Sequence, residues 1–252
     1  MAVDLLGVLA LAAAGAVQES SPPDARALAG RAISHTRRLS YRTRFQARLS
    51  APQGDPIDYK GVSLRLVQGV LYAHYTATGG DFKNIVRVDV PGGPPRVWVW
   101  HEGLGDWVTP EEIGSPGIGR GIQNPDELLE VLSRHLDGAR LRTPGVVELA
   151  FSGEEIGKVM RDQPRAGSFD WAKSRAEIEL HVDAETRLRR LVCRADLQPA
   201  DPEVRGRVKY SAEVEVETYS PEPEMKFFDE DRRPILLRGE IRRAIDAALK
   251  ER

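Results

Sequence analysis

The chain has 252 residues, a formal net charge of −2 and one cysteine, and 41% of its residues are hydrophobic. A lone cysteine excludes an intramolecular disulfide and any Cys-rich zinc or iron–sulfur site. Near-neutral charge argues against a dedicated nucleic-acid binder, and the apolar content argues against disorder throughout.

Residues 5–17, LLGVLALAAAGAV, carry no charge. They are too few for a membrane-spanning helix, which needs roughly 20 residues. They fit the apolar core of a signal peptide, with Ala14-Gly15-Ala16 as a small-residue cleavage site. Asp4 stands where such a signal carries basic residues. The expectation is an exported protein, periplasmic or otherwise, whose signal (residues 1–17) lacks a lipobox cysteine. No other segment approaches membrane-spanning length, so no stable membrane span is expected.

Residues 24–38 repeat small apolar side chains at helical spacing: Ala25, Leu28, Ala29, Ala32 and Ile33. The period then becomes two. Tyr41, Thr43, Phe45, Ala47 and Leu49 alternate with Arg42, Arg44, Gln46 and Arg48, as in a half-buried strand. Further strands are expected at 59–68, 70–77, 84–90 and 95–101, separated by Gly- and Pro-rich turns. Residues 110–125 read as a Gly- and Pro-rich loop. Asn124, Pro125 and Glu127 then form a capping arrangement for a helix carrying Leu128, Leu129, Leu132 and Leu136. A strand at 146–151 leads to a second capping box at Ser152–Glu155 and a short helix to Met160, followed by a polar loop over 162–172.

In the last third, Ala176, Ile178, Leu180 and Val182 alternate with charged residues up to a hairpin turn at Asp183–Thr186. The return strand puts Leu191, Cys193, Ala195 and Leu197 on one face, so Cys193 reads as a small buried hydrophobe. Residues 204–218 alternate throughout, with Val208, Tyr210, Ala212, Val214, Val216 and Thr218 facing one way. Glu213, Glu215 and Glu217 face the other, placed to pair with Arg190 and Arg194. A strand of that length implies a strongly curved sheet. Residues 220–238 are punctuated by proline and charge, and an amphipathic helix is expected at about 239–250.

Motifs for catalysis are missing. No two histidines have metal-ligand spacing, and there is no nucleophile elbow or phosphate loop. His101-Glu102 is a bare pair at a strand end, and His181 sits on a polar strand face. No enzyme activity, metal or cofactor is expected. The aromatic residues are more informative, since more than half lie between residues 41 and 107. Trp98 and Trp100 share one face of a strand whose other face carries Val97 and Val99. A strand apolar on both faces is covered on both sides, by helices or by a ligand.

Three segments, SYRTRFQARLS, RVWVWHEGLGDWVTPEEI and AEIELHVDAETRLRRLVCRADL, follow a helix in an order that resembles the periplasmic outer-membrane lipoprotein carrier and sorting superfamily (LolA/LolB-like, with the LppX/LprG-like relatives). The resemblance covers about residues 24–219. It implies an α+β fold, a strongly curved antiparallel sheet forming an incomplete β-barrel, with helices plugging the concave face. It also implies a cavity for acyl chains, with lipid or an acylated protein as partner and no nucleic acid. Candidate cavity residues are Phe45, Leu64, Leu66, Tyr72, Val88, Trp98 and Trp100. Residues 18–219 would form the carrier-like domain and 220–252 a charged tail ending in a helix. The alternative is a periplasmic regulatory or sensor protein that uses the same fold to bind an envelope protein or peptide.

Overall fold

A computed structural model describes residues 23–78, 83–114, 129–130, 132–152 and 168–250. The expected signal segment, the Asn124 cap and the short helix ending at Met160 lie outside these residues. Helix α1 (Pro23–Arg37) is followed by β1 (Tyr41–Ser50), β2 (Ile57–Leu66), β3 (Val70–Ala77), β4 (Lys83–Val88), β5 (Arg96–His101) and β6 (Asp106–Val108). Then come β7 (Arg140–Thr143), β8 (Val146–Ser152), β9 (Phe169–Val182), β10 (Leu188–Pro199) and β11 (Val208–Tyr219). A two-residue hairpin, β12 (Phe227–Phe228) with β13 (Pro234–Ile235), precedes helix α2 (Gly239–Lys250).

Eleven of these strands form one sheet in the order β6-β5-β4-β3-β2-β1-β11-β10-β9-β8-β7. Every neighbouring pair is antiparallel. Two meanders therefore meet where β1 pairs with β11. The fold is α+β, a large curved sheet that is not closed into a barrel, because β6 and β7 remain its two edges.

Directly opposed residues share a face, so the register divides the sheet into two surfaces. On the first face lie Ala47, Tyr59, Ala212, Cys193 and Ile178. Helix α1 packs there through Ala25, Ala29, Ala32 and Ile33, joined by Leu129, Leu132 and Leu136. The alanines let the helix approach the sheet closely, and Thr36 at its end accepts a hydrogen bond from the Leu188 backbone N–H at 2.9 Å. Continued across the other half, the same face carries Leu71, Ala73, Ile85, Val97 and Val99, a separate buried cluster.

The second face is divided in character. Over β2–β6 it is apolar: Leu64, Leu66, Val70, Tyr72, Val86, Val88, Trp98 and Trp107 pack with Met225, Phe227, Ile235, Leu237, Ile241 and Ile245. Residues 225–249 thus cover the surface opposite the one that holds α1. Over β9–β11 and β1 the second face is charged. There Arg190 pairs with Glu213 at 2.7 Å, as expected, and Arg44 with Glu217 at 2.6 Å, while Arg194 pairs with Glu179 on β9 and not with the β11 glutamates.

Several boundaries differ from the periodicity. The strand expected to start near residue 175 begins at Phe169, so the expected polar loop over 162–172 ends earlier. The alternation from 204 does not mark a strand start, because Val204 donates to the Asp201 carbonyl in a turn and Gly206 has φ +105°. The pairing of β1 with β11 slips between Arg42 and Thr43, which places Thr218 opposite Arg42 on the charged face and not beside Val216.

Candidate functional site

The seven sequence candidates separate onto opposite faces. Leu64, Leu66, Tyr72, Val88, Trp98 and Trp100 lie together on the second face, under the C-terminal segment. Phe45 lies on the first face, opposite Gly61 and Val214. The periodicity grouped residues by strand; only the register shows that the Phe45 row and the Trp98 row point to different sides.

The six are held by a chain of aromatic contacts. Trp107 meets Trp100 edge-on at 5.9 Å and Phe227 at 5.3 Å, and Phe227 meets Tyr72 at 6.0 Å. Trp107 Nε1 donates to the Leu236 carbonyl at 3.0 Å, and Arg238 donates back to the Trp107 carbonyl at 2.8 Å. Asn84 donates to the Phe228 carbonyl at 3.2 Å. Burial, with Glu224 nearby, pushes the Tyr72 hydroxyl well above its ordinary pKa. Met225, Phe227, Ile235, Leu237, Ile241 and Ile245 pack over these six residues.

Around Phe45 the first face is less tightly covered. Phe45 and Tyr75 are both half-buried, with ring centroids 6.4 Å apart. Gly61 lies beneath them, and a Cβ there would stand 2.3 Å from the His74 carbonyl oxygen and 2.8 Å from Phe45 Cζ. The Phe45 ring lies directly on the backbone, a use of strand glycine that permits close approach. Burial, with Tyr59 adding to it, pushes the Tyr75 hydroxyl up to about 12. Burial likewise raises Tyr210, whose hydroxyl finds no hydrogen-bond partner among the described residues. Beyond Tyr75 comes the Leu71, Ala73, Ile85, Val97, Val99 cluster, built of strand residues alone among the described residues. Elsewhere on this face Thr43 Oγ1 meets Ser63 Oγ at 2.7 Å, and Arg87 pairs with Asp89 at 2.8 Å.

Sequence reasoning passed over Leu71, Ala73, Ile85 and Tyr75. Strands β3 and β4 are apolar on both faces, so alternation gave no reason to choose between them. The second apolar face that Val97 and Val99 give β5 extends across β4 and β3.

The chemically suggestive residues have local roles. His101 Nδ1 accepts the Leu104 N–H at 3.2 Å and so caps a single turn of 3₁₀-helix. His181 lies 3.4 Å from Glu179 on the charged face. Cys193 is buried, and desolvation pushes its thiol up to about 12, which suppresses the reactive thiolate. Among the described residues no group of three or more His, Cys, Asp or Glu is placed to hold a metal. No described helix is long and apolar enough to cross a membrane.

No family model matches the sequence, and no curated protein matches it. Among solved structures the chain is similar to LprF from Mycobacterium bovis, with 15% identity, 81% of this chain and 96% of that chain covered, and a TM-score of 0.35. A putative outer membrane lipoprotein-sorting protein domain from Vibrio parahaemolyticus gives 11% identity, 80% and 94% coverage and a TM-score of 0.29. A DUF1329 family protein from Desulfovibrio piger gives 8%, 82%, 95% and 0.32. These likenesses span most of each chain at low superposition.

Proposed function

We propose that this protein is an exported lipid- or lipoprotein-binding carrier, and that the first face of its sheet shelters acyl chains. The observation that carries the reading is the buried strip Leu71, Ala73, Ile85, Val97 and Val99, which continues from the half-buried Phe45–Tyr75 pair and to which no described helix contributes. A half-buried aromatic pair beside a dry aliphatic strip suits a chain of methylenes. Burial of each CH₂ contributes about 0.8 kcal/mol, so ten of them supply roughly 8 kcal/mol before ordering costs. Over β2–β6 the second face packs against residues 225–249, whereas no described helix contributes to the first-face strip.

The test is native mass spectrometry of protein purified from a lipid-containing extract, followed by displacement of a fluorescent fatty acid. Wild type is expected to carry a lipid adduct. Ile85→Glu places a carboxylate in the strip and is expected to abolish the adduct. Phe45→Ala trims a half-buried ring, spares the packed core, and is expected to weaken probe binding about tenfold, the equivalent of about 1.4 kcal/mol. Absence of adduct and of probe binding in a folded wild-type protein would sink the carrier reading.

A further inference from the structure

The charged half of the second face is unlike an ordinary solvated strand surface in one respect, because it is hollow. One groove of about 800 Å³ runs from Thr76 on β3 to Arg190 on β10. A second, of about 470 Å³, runs from Ser50 on β1 to Arg175 on β9, and the two share Arg48, Arg194 and Ser211. The register explains their continuity. Asp58, Arg48, Ser211, Arg194 and Glu177 stand directly opposite one another on β2, β1, β11, β10 and β9, one cross-strand row along the groove. With strands about 4.8 Å apart, the span from β3 to β9 is roughly 24 Å, the length of about seven extended residues.

The charge in the groove is uneven. Arg48, Lys60, Arg175, Arg190, Arg194 and Lys209 stand against Asp58, Glu177, Asp196 and Glu213. Among the described lining residues this is a surplus of two positive charges, on a chain whose net charge is −2. Most of these cations are engaged. Arg190 is held by Glu213 at 2.7 Å, Arg175 reaches Asp196 at 3.5 Å, and Arg48 reaches Asp58 at 3.6 Å. Arg194 is anchored by Glu179, which is buried under the groove and is also matched by Arg142. Lys60 and Lys209 are different. Both are exposed, and neither makes an ion pair among the described residues. Lys209 faces Asp196 across the ladder, yet that carboxylate is taken by Arg207 and Arg175. The Ser211 hydroxyl lines the groove on β11 beside Lys209, and the buried apolar side chain of Val192 lines it on β10.

We propose that this groove is a docking surface for an extended acidic segment of a partner protein, laid across the strands with its carboxylates on Lys60 and Lys209. The occupant is argued from complementarity: an extended acidic chain matches the length of the groove and the two cations, Lys60 and Lys209, that make no ion pair among the described residues. This proposal stands independently of lipid binding on the opposite face.

A fluorescein-labelled heptapeptide of alternating glutamate and serine is the probe, read by anisotropy at about 0.05 M and 0.5 M salt, where screening differs severalfold. Binding at low salt that weakens at high salt is expected. Lys60→Glu with Lys209→Glu, two exposed positions outside the core, is expected to keep the wild-type circular dichroism and lose tenfold or more in affinity. A peptide of alternating lysine and serine is expected not to bind. The proposal is overturned if the glutamate peptide fails to bind wild type, if the double variant binds it equally well, or if the lysine peptide binds too. It is also overturned if anionic phosphatidylglycerol vesicles, and not the peptide, bind through Lys60 and Lys209. Lipid adduct measured on the same double variant separates this result from the carrier reading, since the adduct is expected to persist.

Discussion

Trp107→Ala is the most direct probe of how the C-terminal segment is held. Trp107 is fully buried, and it touches Phe227 and Trp100 at 5.3 and 5.9 Å. Truncating a buried Trp to Ala costs about 3–5 kcal/mol, transfer and cavity terms together. Part of that is the pair of edge-on ring contacts, each contributing about 0.5–1.5 kcal/mol. The lost Nε1 hydrogen bond to the Leu236 carbonyl, 3.0 Å long, contributes about 1 kcal/mol. Trp107→Phe separates the two effects, since it keeps an aromatic ring and removes the donor; its expected cost is about 1–2 kcal/mol. For a domain of this size about 4 kcal/mol corresponds to a fall in Tm of roughly 8–16 °C. Urea unfolding followed by far-UV circular dichroism measures the loss. Limited trypsin digestion localises it, because Lys226, Arg232 and Arg233 sit on the segment that would detach first. If Trp107→Ala costs under about 1 kcal/mol and the tryptic pattern is unchanged, the segment is held by something other than this aromatic chain, and the argument from ring contacts fails.

Acid should weaken the charged face. The hydrogen bond from Arg194 holds the Glu179 carboxyl below its ordinary range, and Arg190 does the same for Glu213. A carboxyl whose folded pKa is depressed contributes stability above its unfolded pKa of about 4.3, and loses it as pH falls through the lower folded value. Unfolding free energy is therefore expected to be flat near neutrality and to decline below about pH 4.5. Glu179→Gln should lower stability at neutral pH and flatten the acid limb; an unchanged limb would show that these pairs contribute nothing. Cys193 should resist dithionitrobenzoate in the native protein at about pH 8, far below its raised pKa of about 12, and react at once in denaturant. Prompt native reaction would place the thiol outside the core.

Much of the architecture can be read from local chemistry. Ala25, Ala29, Ala32 and Ile33 define a helix face by their spacing, and Ile241 and Ile245 define another. Asp183–Thr186 forms the hairpin turn its residues suit, with the Asp183 carboxylate accepting the Glu185 and Arg187 N–H groups at 2.9 Å. Such features depend on neighbours a few residues away, so a period or a turn residue reveals them. Strand β7, of four residues, is too short to show a period.

The sequence by itself determined the antiparallel strands, the alternation of charge with core along β1, β9 and β10, and the buried place of Cys193. Tertiary structure alone decided which side of the sheet each apolar row serves. In β3–β5 both faces are apolar, so alternation carries no sign, and only the pairing of Phe45 with Gly61 and of Tyr72 with Val86 separates Phe45 from the Trp98 row. It also decided that the C-terminal residues 225–249 cover the β2–β6 half of the second face. That contact joins residues more than a hundred positions apart, and only the packing of Trp107 against Phe227 and Leu236 fixes it.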